Sequence, residues 1–159
     1  MSNAKYENSP LEYWKDKSRD IKRETTKAIR KGLKKELISI RNKARKNLKS
    51  GVNNSNTINP KYSDTLLQGI RIIGPKNDKK YKSTISGCVS IMSNRKKGSG
   101  SFRLIFLEGG TSNRRSRKNQ RYLGDIKPRR FFKSAHSGSE ESNAIKNISE
   151  EMDKALKKL

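Results

Sequence analysis

One cysteine and one histidine occur in 159 residues. Cys88 alone cannot close an intramolecular disulfide, and one Cys with one His cannot build a typical zinc site. A lone cysteine fits a reducing compartment without proving one. Carboxylates are also scarce, 15 against 39 Lys and Arg, so the acid cluster of a metal-dependent nuclease is missing. No apolar run approaches the ~18 residues of a membrane span, and no apolar N-terminal segment reads as a signal peptide. Aromatics are few and not interleaved with the basic stretches, which argues against stacking on single strands. No base-reading motif and no internal repeat occur. The expectation is a protein that is not an enzyme, with no catalytic residue, no cofactor and no metal.

Apolar residues are also in short supply. Leu, Ile, Val and Phe make up about a fifth of the chain, at the edge of disordered composition. The mean hydropathy is −1.05. Those residues are patterned, however, so we expect one folded domain, 1–159, with a small core that is marginal alone and gains from assembly. The net charge of +24 and pI near 10.4 call for an anionic partner: nucleic acid, an acidic protein surface or an acidic membrane.

Ser9-Pro10-Leu11-Glu12 carries an N-cap, a first-turn proline and a capping-box acid. Ile21, Ile29, Leu33, Leu37, Ile40, Ala44 and Leu48 then recur mostly at four-residue spacing, one face of a helix over 9–50. Ser50-Gly51 is its predicted stop, and Gly32 or Thr25-Thr26 are candidate breaks. Between Lys15 and Lys49 the other faces hold fifteen Lys and Arg against Asp16, Asp20, Glu24 and Glu36. They are either a solvated face or a contact surface for acidic neighbours or DNA.

Residues 51–61 read as an Asn/Ser loop and 62–69 as one capped helical turn stopped by Gly69. Residues 70–73 read as a short strand and 74–78 as a turn. Residues 81–92 alternate as a half-buried strand, with Ile85, Val89 and Ile91 on one face and Cys88 among the residues of the other. A basic hairpin loop follows at 94–101. Phe102, Leu104 and Phe106 then alternate with Arg103, Ile105 and Leu107, which predicts a central strand apolar on both faces. It ends at Glu108-Gly109-Gly110-Thr111, where glycine lets the chain turn. Residues 122–126 read as a fourth strand. Residues 127–135 lead into a helical turn, and Ser139 opens a C-terminal amphipathic helix over 139–159. Its stripe is Ala144, Ile145, Ile148, Met152, Leu156 and Leu159, with Glu140 and Glu141 at its positive end. The predicted class is α+β, with a long N-terminal helix, an antiparallel β-sheet of about four strands over 62–135, and a C-terminal helix.

Three residues are weighed for chemistry. His136 reads as a surface or capping residue before a general base. Glu108 reads as an acceptor for backbone N–H groups or an Arg of the next loop, before a catalytic or metal carboxylate. Cys88 reads as a small packed residue before a nucleophile. The basic loop is the stronger candidate. Arg114, Arg115, Arg117, Lys118 and Arg121 lie together without an acid, and Arg129 and Arg130 follow. Arg forks suit phosphate or carboxylate, so DNA phosphates or acidic subunits are the two targets.

In its order of features the chain resembles the neck or tail-completion proteins of long-tailed bacteriophages, the small head–tail joining family. Residues 63–70 stand where that family has Thr-Gly-x-Leu-x-x-Ser-Ile. Leu66 and Ile70 match; Ser63, Asp64 and Gly69 depart. Glu108, Gly109, Gly110 and Thr111 match a Glu-x-Gly-Thr corner. Lys127-Pro128-Arg129-Arg130-Phe131-Phe132-Lys133-Ser134-Ala135 stands for an Arg-Pro-Phe segment leading to Ala, with Pro128 displaced by two positions. The resemblance spans roughly residues 25–159. It implies a structural virion protein, assembled in the host cytoplasm into a homo-oligomeric ring of six or twelve copies. That ring would join portal or adaptor to tail proteins around the channel taken by phage DNA, with no membrane involved. A strongly cationic lumen would hinder DNA passage, so most of the charge is expected to face other proteins or the rim, with at most one loop near DNA. The alternative is a stand-alone basic protein binding nucleic acid without sequence specificity.

Overall fold

The computed structural model describes residues 10–53, 63–80, 83–92, 103–136 and 138–158. The Ser9 cap, the 94–101 loop, Phe102 and Leu159 lie outside the described residues.

Helix α1 (Pro10–Asn53) is one rod of 44 residues, ~66 Å at 1.5 Å per residue. It ends at Asn53 and not at Ser50-Gly51, and neither candidate break occurs. Thr25 and Thr26 donate their hydroxyls back to the Ile21 and Lys22 carbonyls at 2.8 and 2.7 Å, which keeps them inside the helix. Gly32 is a point of close approach: a Cβ there would lie 2.6 Å from the Ile148 Cα. Ala28, Leu37, Ile40, Ala44 and Leu48 are buried along α1, whereas Ile21 of the predicted stripe is exposed.

Helix α2 (Ser63–Gln68) and the turn at Gly69 fall where the sequence puts them. Strands β1 (Ile70–Asn77) and β2 (Ile85–Ile91) pair antiparallel, from Ile70 opposite Ile91 to Asn77 opposite Ile85. The turn expected at 74–78 is instead a bulge within β1, between Ile73 and Lys76. Pro75 brings no N–H to a ladder, and a bulge asks for none there. This ribbon lies on α1, with Gly87 facing the Leu37 side chain. Ile85, Val89 and Ile91 are half-buried, and Cys88 on the alternate face is exposed and not packed.

The predicted central strand is a helix, α3 (Arg103–Gly109). Leu104 and Leu107 are buried, while Ile105 and Phe106 stay 54% and 44% exposed, a period of three to four and not two. A run apolar at nearly every position fits either period. Gly110 takes the left-handed φ of +73° and donates its N–H to the Phe106 carbonyl at 2.8 Å, closing the helix at its C-terminus. With that segment helical, no strand bridges the pairs on either side of it. Strands β3 (Thr111–Arg115) and β4 (Tyr122–Ile126) form a second antiparallel ribbon. The sheet of about four strands is therefore two separate two-stranded ribbons among the described residues.

A 3-10 turn (Lys133–Ala135) precedes α4 (Glu140–Leu156), which runs antiparallel to α1. Lys31 and Lys35 reach Glu151, and Glu36 meets Asn147, so rising numbers on one helix face falling numbers on the other. The face of α4 on α1 is rotated from the predicted stripe. Glu151 is buried, while Ile145 and Leu156 are 59% and 51% exposed. Close approach at Gly32 draws Ile148 in, and three ammonium groups make the burial of a carboxylate tolerable: Lys35 at 2.6 Å, Lys31 at 2.7 Å and Lys154 at 3.2 Å. The core is one cluster of Ala44, Leu48, Leu66, Ile70, Leu104, Leu107, Phe131 and Ala135.

Candidate interaction surface

The basic ribbon grows from a built root. The Glu108 carboxylate accepts the backbone N–H groups of Phe132 and Lys133, both at 2.8 Å. The Leu107 carbonyl accepts Arg129 N–H at 2.8 Å and the Glu108 carbonyl accepts Arg130 N–H at 3.3 Å. The C-terminal end of α3 thus satisfies its carbonyls on the segment after β4. Phe131, 1% exposed, pins that segment into the core. Asn47 of α1 donates its amide to the Phe131 carbonyl at 3.4 Å and to the Ser134 hydroxyl at 3.1 Å. Gly110 permits the corner, because a Cβ there would stand 2.8 Å from the Ile126 carbonyl oxygen and from Pro128 Cδ.

Beyond the root the ribbon narrows. Thr111 pairs with Ile126, Arg114 with Gly124 and Arg115 with Tyr122, with shifts of register between them. Asn113 and Gln120 adopt the left-handed φ of 52° and 53°, a conformation that Asn takes more readily than most side chains. Asn113 N–H is held by Asp125 Oδ1 at 2.8 Å, and Ser116 N–H by the Arg121 carbonyl at 2.8 Å. The Tyr122 hydroxyl is pushed above its ordinary range, first by its hydrogen bond to the Asp125 carboxylate.

Arg114 and Arg115 ride on β3, Arg117 and Lys118 form the turn, and Arg121 leads into β4; all five are exposed. No ion pair joins any of them to a described acid. The structure brings these five together on one ribbon. Arg129 and Arg130 belong to its root: Arg130 is exposed at φ +48°, whereas Arg129 is half-buried and burial lowers its guanidinium's pKa. Leu66 and Ile70 lie in the core beside Phe131, and Pro128 is exposed at the corner. His136 is exposed and stands edge-on to Phe132, with ring centroids 5.4 Å apart.

Sequence reasoning missed Asn47 and the lysine cage of Glu151. The cage had a visible signal, since Glu151 falls three residues after Ile148 on the inward face of α4. Among the described residues no group of three or more His, Cys, Asp or Glu could hold a metal ion, and no helix is long and apolar enough to cross a membrane. No protein-family model, no curated protein and no solved structure matches the chain. What the arrangement can do follows from its own chemistry: a short ribbon offers five solvated cations to a phosphate or carboxylate surface.

Proposed function

We propose that this protein is a structural subunit of the neck of a long-tailed phage virion, not an enzyme. Copies of it would form a ring that joins the portal or its adaptor to the tail around the DNA channel. The observation that supports this reading most is the meeting of its separated motifs. Glu108 of the Glu-Gly-Gly-Thr corner binds the backbone of Phe132 and Lys133 in the later Pro-Phe-Ala segment. Leu66 and Ile70 of the first motif join Phe131 and Ala135 in the same core cluster. Residues that the resemblance singles out for separate reasons make one unit. A small core and a projecting cationic ribbon further suit a subunit stabilised by its neighbours.

The test is location. Mass spectrometry of purified particles should find the protein in the neck at a fixed ratio to portal. Particles made without it should accumulate as filled heads and unattached tails. Joined, infectious particles in its absence would remove the proposal.

A second reading is favoured by the five solvated cations of the β3–β4 ribbon. A free-standing nucleic-acid-binding protein would hold duplex DNA or RNA with steep salt dependence and no sequence preference. Titration of duplexes of unrelated sequence at two salt concentrations separates the two.

A further inference from the structure

The face of α1 that packs on α4 does not stop where α4 stops. Leu11, Trp14, Ser18, Ile21, Thr25, Ala28 and Gly32 recur at alternating spacings of three and four, one continuous seam of a helix. Gly32 meets Ile148, and Ala28 is 5% exposed. Exposure then climbs to 45% at Ile21, 69% at Trp14 and 66% at Leu11. The polar contacts of residues 10–27 among the described residues all stay within α1, in pairs such as Asp16 with Arg19 and Glu24 with Lys27. An arm of ~27 Å therefore carries an apolar seam that the described residues of its own chain leave exposed.

The same chain carries a seam that matches it. On α4, Ile145, Ser149, Met152 and Leu156 recur at spacings of four, three and four, beside the face that packs on α1. Ile145 and Leu156 are exposed there and Met152 is half-buried. The two seams are nearly equal in length, spanning residues 11–21 and 145–156. Their charges are opposite. The arm has six Lys and Arg against four acids, whereas α4 has five acids against two lysines and is the most acidic element of a chain of net charge +24.

We propose that the arm of one copy docks its Leu11–Trp14–Ile21 seam on the Ile145–Met152–Leu156 seam of α4 in a second copy. Each α4 is then held between its own α1 and a neighbour's, and the seam already formed within the chain continues across the junction. The two surfaces differ, so the contact is heterologous: each copy gives an arm and receives one, and the chain of copies closes into a ring or runs on. This deepens the ring reading and rests on it for its setting.

Trp14 is the single tryptophan, so its fluorescence reports the junction directly. Raising the protein concentration should shift its emission to shorter wavelength as the size measured by light scattering grows. Trp14→Glu on the arm, and Ile145→Glu with Leu156→Glu on α4, change exposed residues and should leave circular dichroism and melting unaltered. Each should weaken association about ten-fold or more. Mixing supplies the decisive arm. The arm variant keeps an intact α4 and the α4 variant keeps an intact arm, so the pair should form a dimer that cannot grow. The idea is overturned by a wild type that stays monomeric with unmoved emission, or by an α4 variant that still self-associates through its arms. A mixture that stays monomeric overturns it as well. Wild-type rings whose size ignores all these substitutions would overturn this contact while leaving the neck proposal standing, since that proposal is decided by location in the particle.

Discussion

The two ribbons have the same topology and opposite surroundings. β1–β2 lies along α1, its Gly87 against Leu37, and Ile70 at its start is fully buried. β3–β4 is tied to the body at its root, and its strands have no fully buried residue. The first ribbon carries Arg71 and Lys76; the second concentrates five cations on its strands and turn. An apolar face commits a ribbon to the core, while charge on both faces leaves it solvated and free to meet another molecule. Its geometry then depends on a few bonds at the base.

Phe131 is where the two regions share a foundation, since it packs with Leu104 above the basic ribbon and with Leu66 and Ile70 at the start of the first. Phe131→Ala should cost about 3–5 kcal/mol, a large part of the ~5–15 kcal/mol that holds an ordinary domain. Denaturant titration should show both ribbons lost in one weakened transition. A loss below ~1 kcal/mol would mean that they stand on separate supports.

Glu108→Ala should divide them. It removes the acceptor of two backbone N–H groups at 2.8 Å, a loss of about 1–3 kcal/mol. Hydrogen exchange should quicken from residue 111 to 133 and stay unchanged from 70 to 91. Equal quickening in both would show that the corner serves the whole core and not the ribbon alone.

Much of this contrast was legible in the residues. The long amphipathic α1, the alternating β2 and the acid-free Arg run are patterns that repeat, and repetition survives any detail of packing. The role of Glu108 as an acceptor for backbone N–H groups followed from its place beside two glycines in a polar chain. The α3 segment was not legible, because Phe102 to Leu107 is apolar at nearly every position and neither period stands out. Gly110 does not decide between them, since it reads as a helix C-terminal glycine as readily as a turn after a strand. Gly32 was misread for a related reason. Propensity makes glycine a weak point in a helix, by ~1 kcal/mol, but the reason for this one is a backbone that α4 brings within 2.6 Å. Nothing local to α1 encodes that distance.

Acid should also loosen the seam beside the two ribbons. Glu151 is held from its ordinary 4.5 down to about 2, chiefly by hydrogen bonds from Lys31 and Lys35, against the effect of burial. A carboxyl with a lowered folded pKa stabilises fully above pH 4.5 and loses that contribution as pH falls toward about 2. The α1–α4 pairing should therefore weaken across that window, and Glu151→Gln should lower Tm at neutral pH while flattening the acid limb. An acid limb unchanged in Glu151→Gln would assign the transition to other carboxylates.

The smallest effect on stability should come from the largest change in charge. Arg114→Glu, Arg115→Glu and Arg117→Glu together replace exposed side chains that no described acid pairs with, and surface changes of this kind usually stay within about 0.5 kcal/mol each. Relief of repulsion among the five cations works in the stabilising direction, so a melting temperature at or slightly above the wild type is expected. What should change is partner contact. If the ribbon meets duplex phosphates, three lost contacts lower the slope of log affinity against log salt by about three. If it meets an acidic protein seat, duplex binding is unmoved while joining of heads to tails fails. A variant that unfolds instead would place the ribbon with β1–β2 as part of the core, and the contrast between the two would be gone.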